Sequence, residues 1–311
     1  AQIMPPVMGI AAFIMVDFLN VPYSRIVLAG IFPALAYYLA LFLMADFEAA
    51  KAGLRGIPRS ELPSIKKTMG QGWQFLTALT VLLVLLIGFK YSPELSAMYA
   101  SATLILTGLL NKGNRLTLNK FLLALKNTAI VMMMLAVVLA TAGIIVGAVQ
   151  LTGLAYRLSM GLLGMAGGNI WLLLLLTVAA AIVLGFPLNT SAVYLILAIM
   201  VAPALVSVGF TPLAAHFFVF YYGVAAMITP PVCPVAYIAA GIAGSGPMRT
   251  GFVATRMAVV TFLVPFIFIF HPALLMEGSA AEVLLTVAYT FLTSIALAAG
   301  LVGYMFGNLN I

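Results

Sequence analysis

The sequence alternates between long apolar stretches and short polar ones. Most apolar stretches approach the length of about 20 residues that a helix needs to cross the hydrocarbon of a bilayer. They cover residues 21–44, 73–89, 95–110, 128–149, 170–184, 192–208, 212–227, 253–270 and 283–306. This pattern predicts an all-α bundle of transmembrane helices, and the shorter stretches indicate re-entrant or interrupted helices.

The composition favours a membrane environment over an aqueous one. Of the 311 residues, 65% are hydrophobic and 7% are charged, whereas soluble globular chains carry about 25% charged residues. The net charge of +7 comes mostly from residues between the apolar stretches, so we interpret it as a topology signal and not as a nucleic-acid interface. There is no HExxH motif, no P-loop and only one cysteine, Cys233. We therefore expect no enzyme, no cofactor and no disulfide framework.

Two basic segments, 48–67 and 112–126, indicate the orientation of the chain in the membrane. Because two predicted helices separate them, both lie on the same side, which the positive-inside rule assigns to the cytoplasm. Within the second segment, residues 115–125 are predicted to form a separate short helix at the interface. We further predict that residues 170–208 form a hairpin that enters and leaves on the outer side.

The sequence contains an internal repeat at an offset of 225 positions. Segment 4–11 resembles segment 229–236, and each is followed by a proline that begins a long apolar helix. The coinciding residues are Pro5 with Pro230, Pro6 with Pro231, Val7 with Val232, Ala11 with Ala236 and Pro22 with Pro247. In the predicted topology the two copies run in opposite directions, and inverted repeats with discontinuous helices are typical of secondary transporters.

The two Pro-Pro pairs predict helix breaks inside the membrane. Proline removes a backbone donor and ends a helix, and the freed carbonyls are costly in hydrocarbon unless a cavity, an ion or a substrate satisfies them. The carbonyls of residues 226–229 and the Thr229 hydroxyl are hard oxygen ligands suited to Na⁺. A helix that restarts after Pro231 would offer its positive end to an anion. The alternative is a plain proline kink.

A second unusual segment, 185–191, interrupts an apolar stretch with Pro187 and three adjacent hydrogen-bonding residues, Asn189, Thr190 and Ser191. It could be a turn followed by a helix cap. At the tip of a membrane hairpin it is also a candidate site for a carboxylate and a cation. His216, on an aromatic stretch, is interpreted as a packed residue and not as a proton relay, and Cys233 as a small packed one.

These segments also carry a resemblance to the large membrane subunit of TRAP transporters, specifically to the fused permeases of the TAXI subgroup. The resembling segments are 2–9 with 11–15, 203–205 with 214–221, 228–232 with 239–244, and 271–275. The resemblance implies a multi-pass permease of the bacterial inner membrane, of the elevator type within the ion transporter superfamily. It implies import of organic acids, such as dicarboxylates, 2-oxoacids or glutamate-like compounds, driven by a Na⁺ gradient.

The resemblance also implies partners and sites. The partners are an extracytoplasmic solute-binding protein, a small Q-type membrane subunit or fused region, and membrane lipids, without nucleic acid. The implied Na⁺ candidates are Met4, Pro5, Gly185, Asn189, Thr190, Met227, Ile228 and Thr229. The implied substrate-binding candidates are Asn189, Thr190, Ser191, Thr229 and Pro231.

The resemblance further implies a division of the chain. Residues 1–47 would end the first repeat, 48–72 form a cytoplasmic linker, 73–271 form the second repeat, and 272–311 add a C-terminal transmembrane helix. The first repeat's hairpin would then precede Ala1, so we expect the chain to be a fragment of a longer permease. At the hairpin tip Phe186, Leu188 and Asn189 replace residues usual in the family.

Two alternatives remain open on the sequence. One is a divalent-anion or carboxylate symporter of the same superfamily that works without a binding protein. The other is a membrane anchor or membrane-embedded enzyme without a transport function.

Overall fold

The computed structural model describes residues 2–5, 8–54, 56–58, 61–111, 115–185, 190–305 and 307. These residues form helices joined by short connections, with no β-strand among them. The α-helices are α1 Ile10–Leu19, α2 Tyr23–Lys51, α3 Ile65–Leu83, α4 Pro93–Leu110, α5 Leu118–Leu151, α6 Leu154–Ala166, α7 Ile170–Gly185, α8 Thr190–Met200, α9 Ala202–Ser207, α10 Pro212–Ala225, α11 Pro234–Ala243, α12 Pro247–Met257, α13 Val259–Phe270 and α14 Ala280–Val302.

Every predicted apolar stretch overlaps at least one of these helices, so the all-α prediction is confirmed. Within the part of the chain that the structure describes, five helical segments are long and apolar enough to cross a membrane: Tyr23–Lys51, Ile65–Gly88, Thr190–Ser207, Pro247–Phe270 and Ala280–Val302. Shorter apolar helices accompany them, including α1, α7 and α11. The chain is thus a polytopic α-helical membrane protein.

One predicted helix boundary is wrong. Residues 115–125 do not form a separate interfacial helix, because residues 118–151 form the single helix α5. The physical reason is visible in the sequence: neither proline nor glycine occurs between Arg115 and Ala142, so nothing breaks the helix.

Prolines and small polar residues set several helix starts. Pro93, Pro212 and Pro247 begin α4, α10 and α12, where the missing N–H costs nothing. Ser92 Oγ and Thr211 Oγ1 accept hydrogen bonds from backbone N–H groups of the first turns of α4 and α10. The starts of these helices are therefore fixed by local interactions, before tertiary packing is considered.

The described residues fall into two compact units, one of residues 1–20, 26–54 and 142–311, and the other of residues 21–25 and 55–141. In the first unit, α10 is buried on all sides, from Leu213 to Tyr222. Helices α7, α8 and α13 pack against it, and α7 also packs against α8, as a hairpin requires. Aromatic side chains of α10 and α13, such as Phe218 and Phe266 at 5.5 Å between ring centroids, fill this core.

Helix α14 runs beside α2 in the same unit. Phe32 of α2 and Val283 of α14 line one cavity, and Lys51 Nζ donates a 2.6 Å hydrogen bond to the Val302 carbonyl. From the first contact to the second, α2 and α14 each advance by 19 residues in the same direction. The two helices are therefore parallel over about 28 Å. Met44 and Phe47 pack against Ala298 between these two points.

In the second unit, α3 packs against α4. The buried Asn111 side chain donates hydrogen bonds to Gln74 Oε1 at 2.5 Å and to the Gln71 carbonyl at 3.2 Å. Polar side chains inside a membrane bundle join helices in this way because lipid offers them no partner.

Candidate functional site

The first helix break precedes α1. Its described residues 2–5 and 8–9 are not helical, and Met8 N donates a 3.2 Å hydrogen bond to the Met4 carbonyl. Met8 is fully buried and has a φ of 43°. Helix α1 then begins at Ile10.

The second break separates α10 from α11. Helix α10 ends at Ala225, a 3₁₀ turn covers Ala226–Ile228, and α11 begins at Pro234. The helix thus restarts after Pro231, at Pro234. Cys233 N donates a 3.3 Å hydrogen bond to the Thr229 carbonyl, and Cys233 is fully buried with a φ of 24°.

The two breaks share one backbone hydrogen bond and one positive φ. Met4 and Met8 stand 225 positions before Thr229 and Cys233, respectively. The hydrogen bond from Met8 N to the Met4 carbonyl is thus equivalent to the one from Cys233 N to the Thr229 carbonyl. A positive φ is uncommon outside glycine, and here it occurs at both equivalent positions. Helices α1 and α11 each have ten residues. The repeat seen in the sequence thus extends to the geometry of the breaks, while the inversion of the two copies stays a prediction.

Each break also packs against a glycine in the long helix that follows it. A Cβ at Gly30 of α2 would lie 3.0 Å from Met8 Cε, and one at Gly251 of α12 would lie 2.7 Å from Cys233 Sγ. The same built Cβ atoms would lie 3.2 Å from Pro5 Cγ and 3.1 Å from Pro230 Cγ. At Gly251 in particular, only a residue without a side chain lets the helix come this close to the break.

The α7 side of the tip of the hairpin formed by α7 and α8 touches the second break. Gly185 ends α7, and a Cβ built there would lie 2.3 Å from the Cβ of Ala226. Ala226 is the first residue of the turn that precedes Thr229. The predicted site residues Gly185, Met227 and Ile228 are thus brought into one region.

The α8 side of the same tip touches the first break. Thr190 begins α8 and is buried, and its hydroxyl donates a 2.8 Å hydrogen bond to Gln2 Oε1. Gln2 stands two residues before Met4. The hairpin tip thereby contacts both helix breaks, which are more than 180 residues apart in the sequence.

A cavity of about 330 Å³ lies between the two breaks. Gln2 and Ile3 line it from the first break, and Met227 and Ile228 from the second. Its remaining lining residues are Tyr37, Val224, Ala225, Val235 and Thr261. The hydroxyl of Thr261 is buried and has no hydrogen-bond partner among the residues that the structure describes.

The protein satisfies part of the second break itself. Thr255 of α12 donates a 3.1 Å hydrogen bond to the Ile228 carbonyl, and Tyr237 of α11 donates a 2.6 Å bond to the Pro231 carbonyl. The Thr229 hydroxyl donates to the Ala225 carbonyl at 2.7 Å. Each of these carbonyl oxygens can still accept a second hydrogen bond or bind a ligand. Because each already has one partner in the protein, none of them requires a ligand.

Several predicted site residues do not line the cavity. Met4, Pro5, Thr229 and Ser191 are partly buried, and Pro231 is exposed. Asn189, with Phe186–Leu188 of the hairpin tip, lies outside the described residues. His216 is buried, and its Nδ1 lies 2.7 Å from the Tyr194 hydroxyl, which agrees with its interpretation as a packed residue.

The sequence analysis missed four residues that shape this region: Gln2, Thr255, Tyr237 and Thr261. Gln2 could have been found as the only polar side chain of the segment before the first Pro-Pro pair. Thr255, Tyr237 and Thr261 gave no comparable signal, because a single hydroxyl on an apolar helix is common and its partner is decided by packing.

A helical hairpin whose tip meets two equivalent helix breaks defines a multi-pass membrane protein built like a secondary transporter. The chain belongs to the family described as "Tripartite ATP-independent periplasmic transporter, DctM component", which it matches over residues 1–283. The match covers α1–α13 and ends near the start of α14. The resemblance to the large TRAP membrane subunit is thereby confirmed. No curated protein matches the chain.

Proposed function

We propose that this chain forms the transmembrane permease part of a TRAP-type transporter that imports small organic acids by Na⁺ symport. The observation that carries the proposal is the contact of one hairpin tip with both helix breaks, through Gly185 and Ala226 on one side and Thr190 and Gln2 on the other. A change at the hairpin tip would thus alter both breaks together. This is the coupling that a symporter requires between its ion and its substrate.

The oxygen atoms of this region suit an alkali cation. Among the described residues, no three His, Cys, Asp or Glu side chains form a group that could hold a metal ion. The candidates are instead neutral oxygens: the carbonyls at Gly185, Met227 and Ile228 and the hydroxyls of Thr190 and Thr229. Hard, neutral oxygen ligands match Na⁺ as the transported coupling ion.

The lining of the 330 Å³ cavity supports coupled movement of anion and cation. Its volume is at the lower end of small-molecule sites, so it suits a small acid. No Arg or Lys is among its lining residues. An unpaired carboxylate would be costly there, and a neighbouring Na⁺ would reduce that cost. The substrate class we propose is a dicarboxylate, a 2-oxoacid or a glutamate-like compound.

The family supports the remaining parts of the proposal. A TRAP permease acts with a solute-binding protein outside the membrane and with a small Q-type membrane subunit, and we propose both as partners. We also propose that the protein lies in a bacterial inner membrane, with the basic segments 48–67 and 112–126 in the cytoplasm, and that it carries out transport without catalysis.

Proteoliposomes test this function. The complete permease, its small subunit and its binding protein are reconstituted, and uptake of labelled succinate, 2-oxoglutarate and glutamate is followed under an imposed Na⁺ gradient. We expect uptake of at least one acid that requires both the gradient and the binding protein. Uptake that ignores Na⁺ and proton gradients would contradict symport. Uptake without the binding protein would favour the binding-protein-independent symporter instead.

A further inference from the structure

The second break is held by hydroxyl groups from the two helices that follow it. The Thr255 hydroxyl of α12 shares its proton between the Ile228 carbonyl, at 3.1 Å, and the Gly251 carbonyl one turn earlier in α12, at 3.0 Å. Tyr237 of α11 donates a 2.6 Å hydrogen bond to the Pro231 carbonyl. Each of these helices therefore fixes one carbonyl group of the break.

The first break lacks both of these donors. At the repeat offset of 225 positions, the residues equivalent to Thr255 and Tyr237 are Gly30 and Ala12. Neither residue carries a polar side-chain atom, so neither can donate a side-chain hydrogen bond. The two breaks thus share a backbone hydrogen bond and a positive φ but differ in the side chains that support them.

The packing of the following helices accounts for this difference. A Cβ at Gly30 would lie 3.0 Å from the methyl carbon of Met8 and 3.2 Å from its sulfur, so a threonine at that position would collide with Met8. At the second break the equivalent residue is the shorter Cys233, whose sulfur contacts α12 one turn earlier, at Gly251. That arrangement leaves room for the Thr255 side chain beside the break.

A carbonyl held by a hydrogen bond is already oriented when a cation arrives. The Ile228 carbonyl is one of the Na⁺ ligands in the proposed function, and its oxygen has a second lone pair beside the one that Thr255 uses. Ile228 also lines the 330 Å³ cavity between the breaks. Hydrogen-bond partners of ligand atoms fix the orientation of those atoms, and their removal typically weakens metal binding by about 10- to 100-fold.

We propose that Thr255 is a positioning residue that orients the Ile228 carbonyl for the coupling cation. The inference rests on the proposed function, because it takes Na⁺ to be the ion bound at the second break. It goes further by assigning the geometry of that ligand to a side chain of α12. The first break has no such support and is held instead by the hairpin tip, through Thr190 and Gln2.

Thermal stabilisation by Na⁺ tests this role without a transport step. Melting temperatures of the complete permease in detergent are measured over a series of NaCl concentrations, with choline chloride keeping the ionic strength constant. Thr255→Val keeps the shape of the side chain but removes the hydroxyl, so the Na⁺ concentration for half-maximal stabilisation should rise about tenfold. Thr255→Ser retains the hydroxyl and should stay close to the wild type.

Thr290→Val is the matched control. Thr290 of α14 is buried, and its hydroxyl donates a 2.7 Å hydrogen bond to the Thr286 carbonyl of the same helix. The variant therefore removes a comparable hydroxyl at a position that contacts neither break through it, and its Na⁺ midpoint should equal that of the wild type.

Uptake in proteoliposomes separates positioning from a purely structural role. Thr255→Val should raise the Na⁺ concentration for half-maximal uptake in the same proportion as in the melting series, while maximal uptake at saturating Na⁺ recovers. A hydroxyl that only stabilised the fold would lower the melting temperature and the maximal uptake with an unchanged Na⁺ midpoint.

The outcomes distinguish this inference from the proposed function. An unchanged Na⁺ midpoint in Thr255→Val, or an equal shift in Thr290→Val, would overturn the role of Thr255 and leave Na⁺ symport standing. A wild-type permease that responds to Na⁺ in neither assay would overturn both.

Discussion

Gly185 and Ala226 lie closer together than two residues that both carry a Cβ atom could. A Cβ at Gly185 would lie 2.3 Å from the Cβ of Ala226. The end of α7 thereby rests directly on the turn that interrupts the α10–α11 helix. The position of the hairpin relative to the second break depends on this one glycine.

Gly185→Ala is therefore expected to push the hairpin away from the break. Overpacking of a tight contact costs about 1–3 kcal/mol, and Na⁺-driven uptake should fall strongly, because the carbonyls at Met227 and Ile228 move relative to the tip. Thermal unfolding and proteoliposome uptake measure the two effects. Gly161→Ala on α6 is the control, since a Cβ there meets nothing within 4 Å. Equal behaviour of the two variants would contradict the assigned contact.

The bond between Thr190 and Gln2 gives a second prediction. Thr190→Val keeps the shape of the side chain but removes the 2.8 Å hydrogen bond to Gln2, so the apparent affinity for Na⁺ in uptake should fall. Thr190→Ser retains the hydroxyl and should behave like the wild type. Gln2→Leu alone and with Thr190→Val completes a double-mutant cycle. We expect a coupling of about 0.5–1.5 kcal/mol, and fully additive effects would show that the two residues act independently.

The contact between Gly251 and Cys233 predicts a compensating pair. Gly251→Ala places a Cβ 2.7 Å from Cys233 Sγ and should lower the melting temperature. Adding Cys233→Ala removes the sulfur and should recover part of the loss; Pro230 Cγ, at 3.1 Å, still limits the space. Melting temperatures of the two single variants and the double variant in one detergent provide the measurement. A double variant less stable than either single one would show that the sulfur is not the obstacle.

Two contacts near the end of α2 should differ in strength. The Lys51 ammonium donates a hydrogen bond to the carbonyl of Val302, the last residue of α14, and its positive charge lies at the negative end of the helix dipole. Lys51→Met should therefore lower the free energy of unfolding by about 1 kcal/mol. The ion pair of Glu48 with Arg256 is exposed, so Arg256→Gln should cost about 0.5 kcal/mol or less. Lys51→Arg should keep most of the stability. A ranking of melting temperatures with Arg256→Gln lowest would contradict this assignment.

The breaks themselves were predictable from the sequence because proline acts locally. Two prolines in series stop a helix whatever surrounds them, and the equal spacing of Pro5–Pro6 from Pro22 and of Pro230–Pro231 from Pro247 identified the repeat. The additional interruptions at Val201 and Ala258 were not predicted. Ala258 has no local feature that would mark it, and Val201 is marked only by the proline two residues later.

Which helices pack against each other could not be predicted from the sequence, and α14 shows the reason. In a soluble protein an apolar stripe marks the packed face of a helix. In a membrane protein, the lipid-facing and protein-facing sides are both apolar. Leu284 and Leu292 of α14 are exposed while Val287 and Ala298 are buried, yet all four are hydrophobic. The pattern therefore indicates that α14 is a helix but not that it lies along α2.

By itself the sequence determined the all-helical membrane class, the two Pro-Pro breaks, their relation by 225 residues, and the resemblance to a TRAP permease. The first three properties follow from composition and local backbone chemistry, and the resemblance rests on the sequence segments that carry it. Only the tertiary structure decided that Gly185 meets Ala226, that Thr190 bonds Gln2, and that Thr255 satisfies the Ile228 carbonyl. Such contacts join distant segments and depend on which apolar faces pack together, which the pattern of hydrophobic residues does not encode when lipid surrounds the helices.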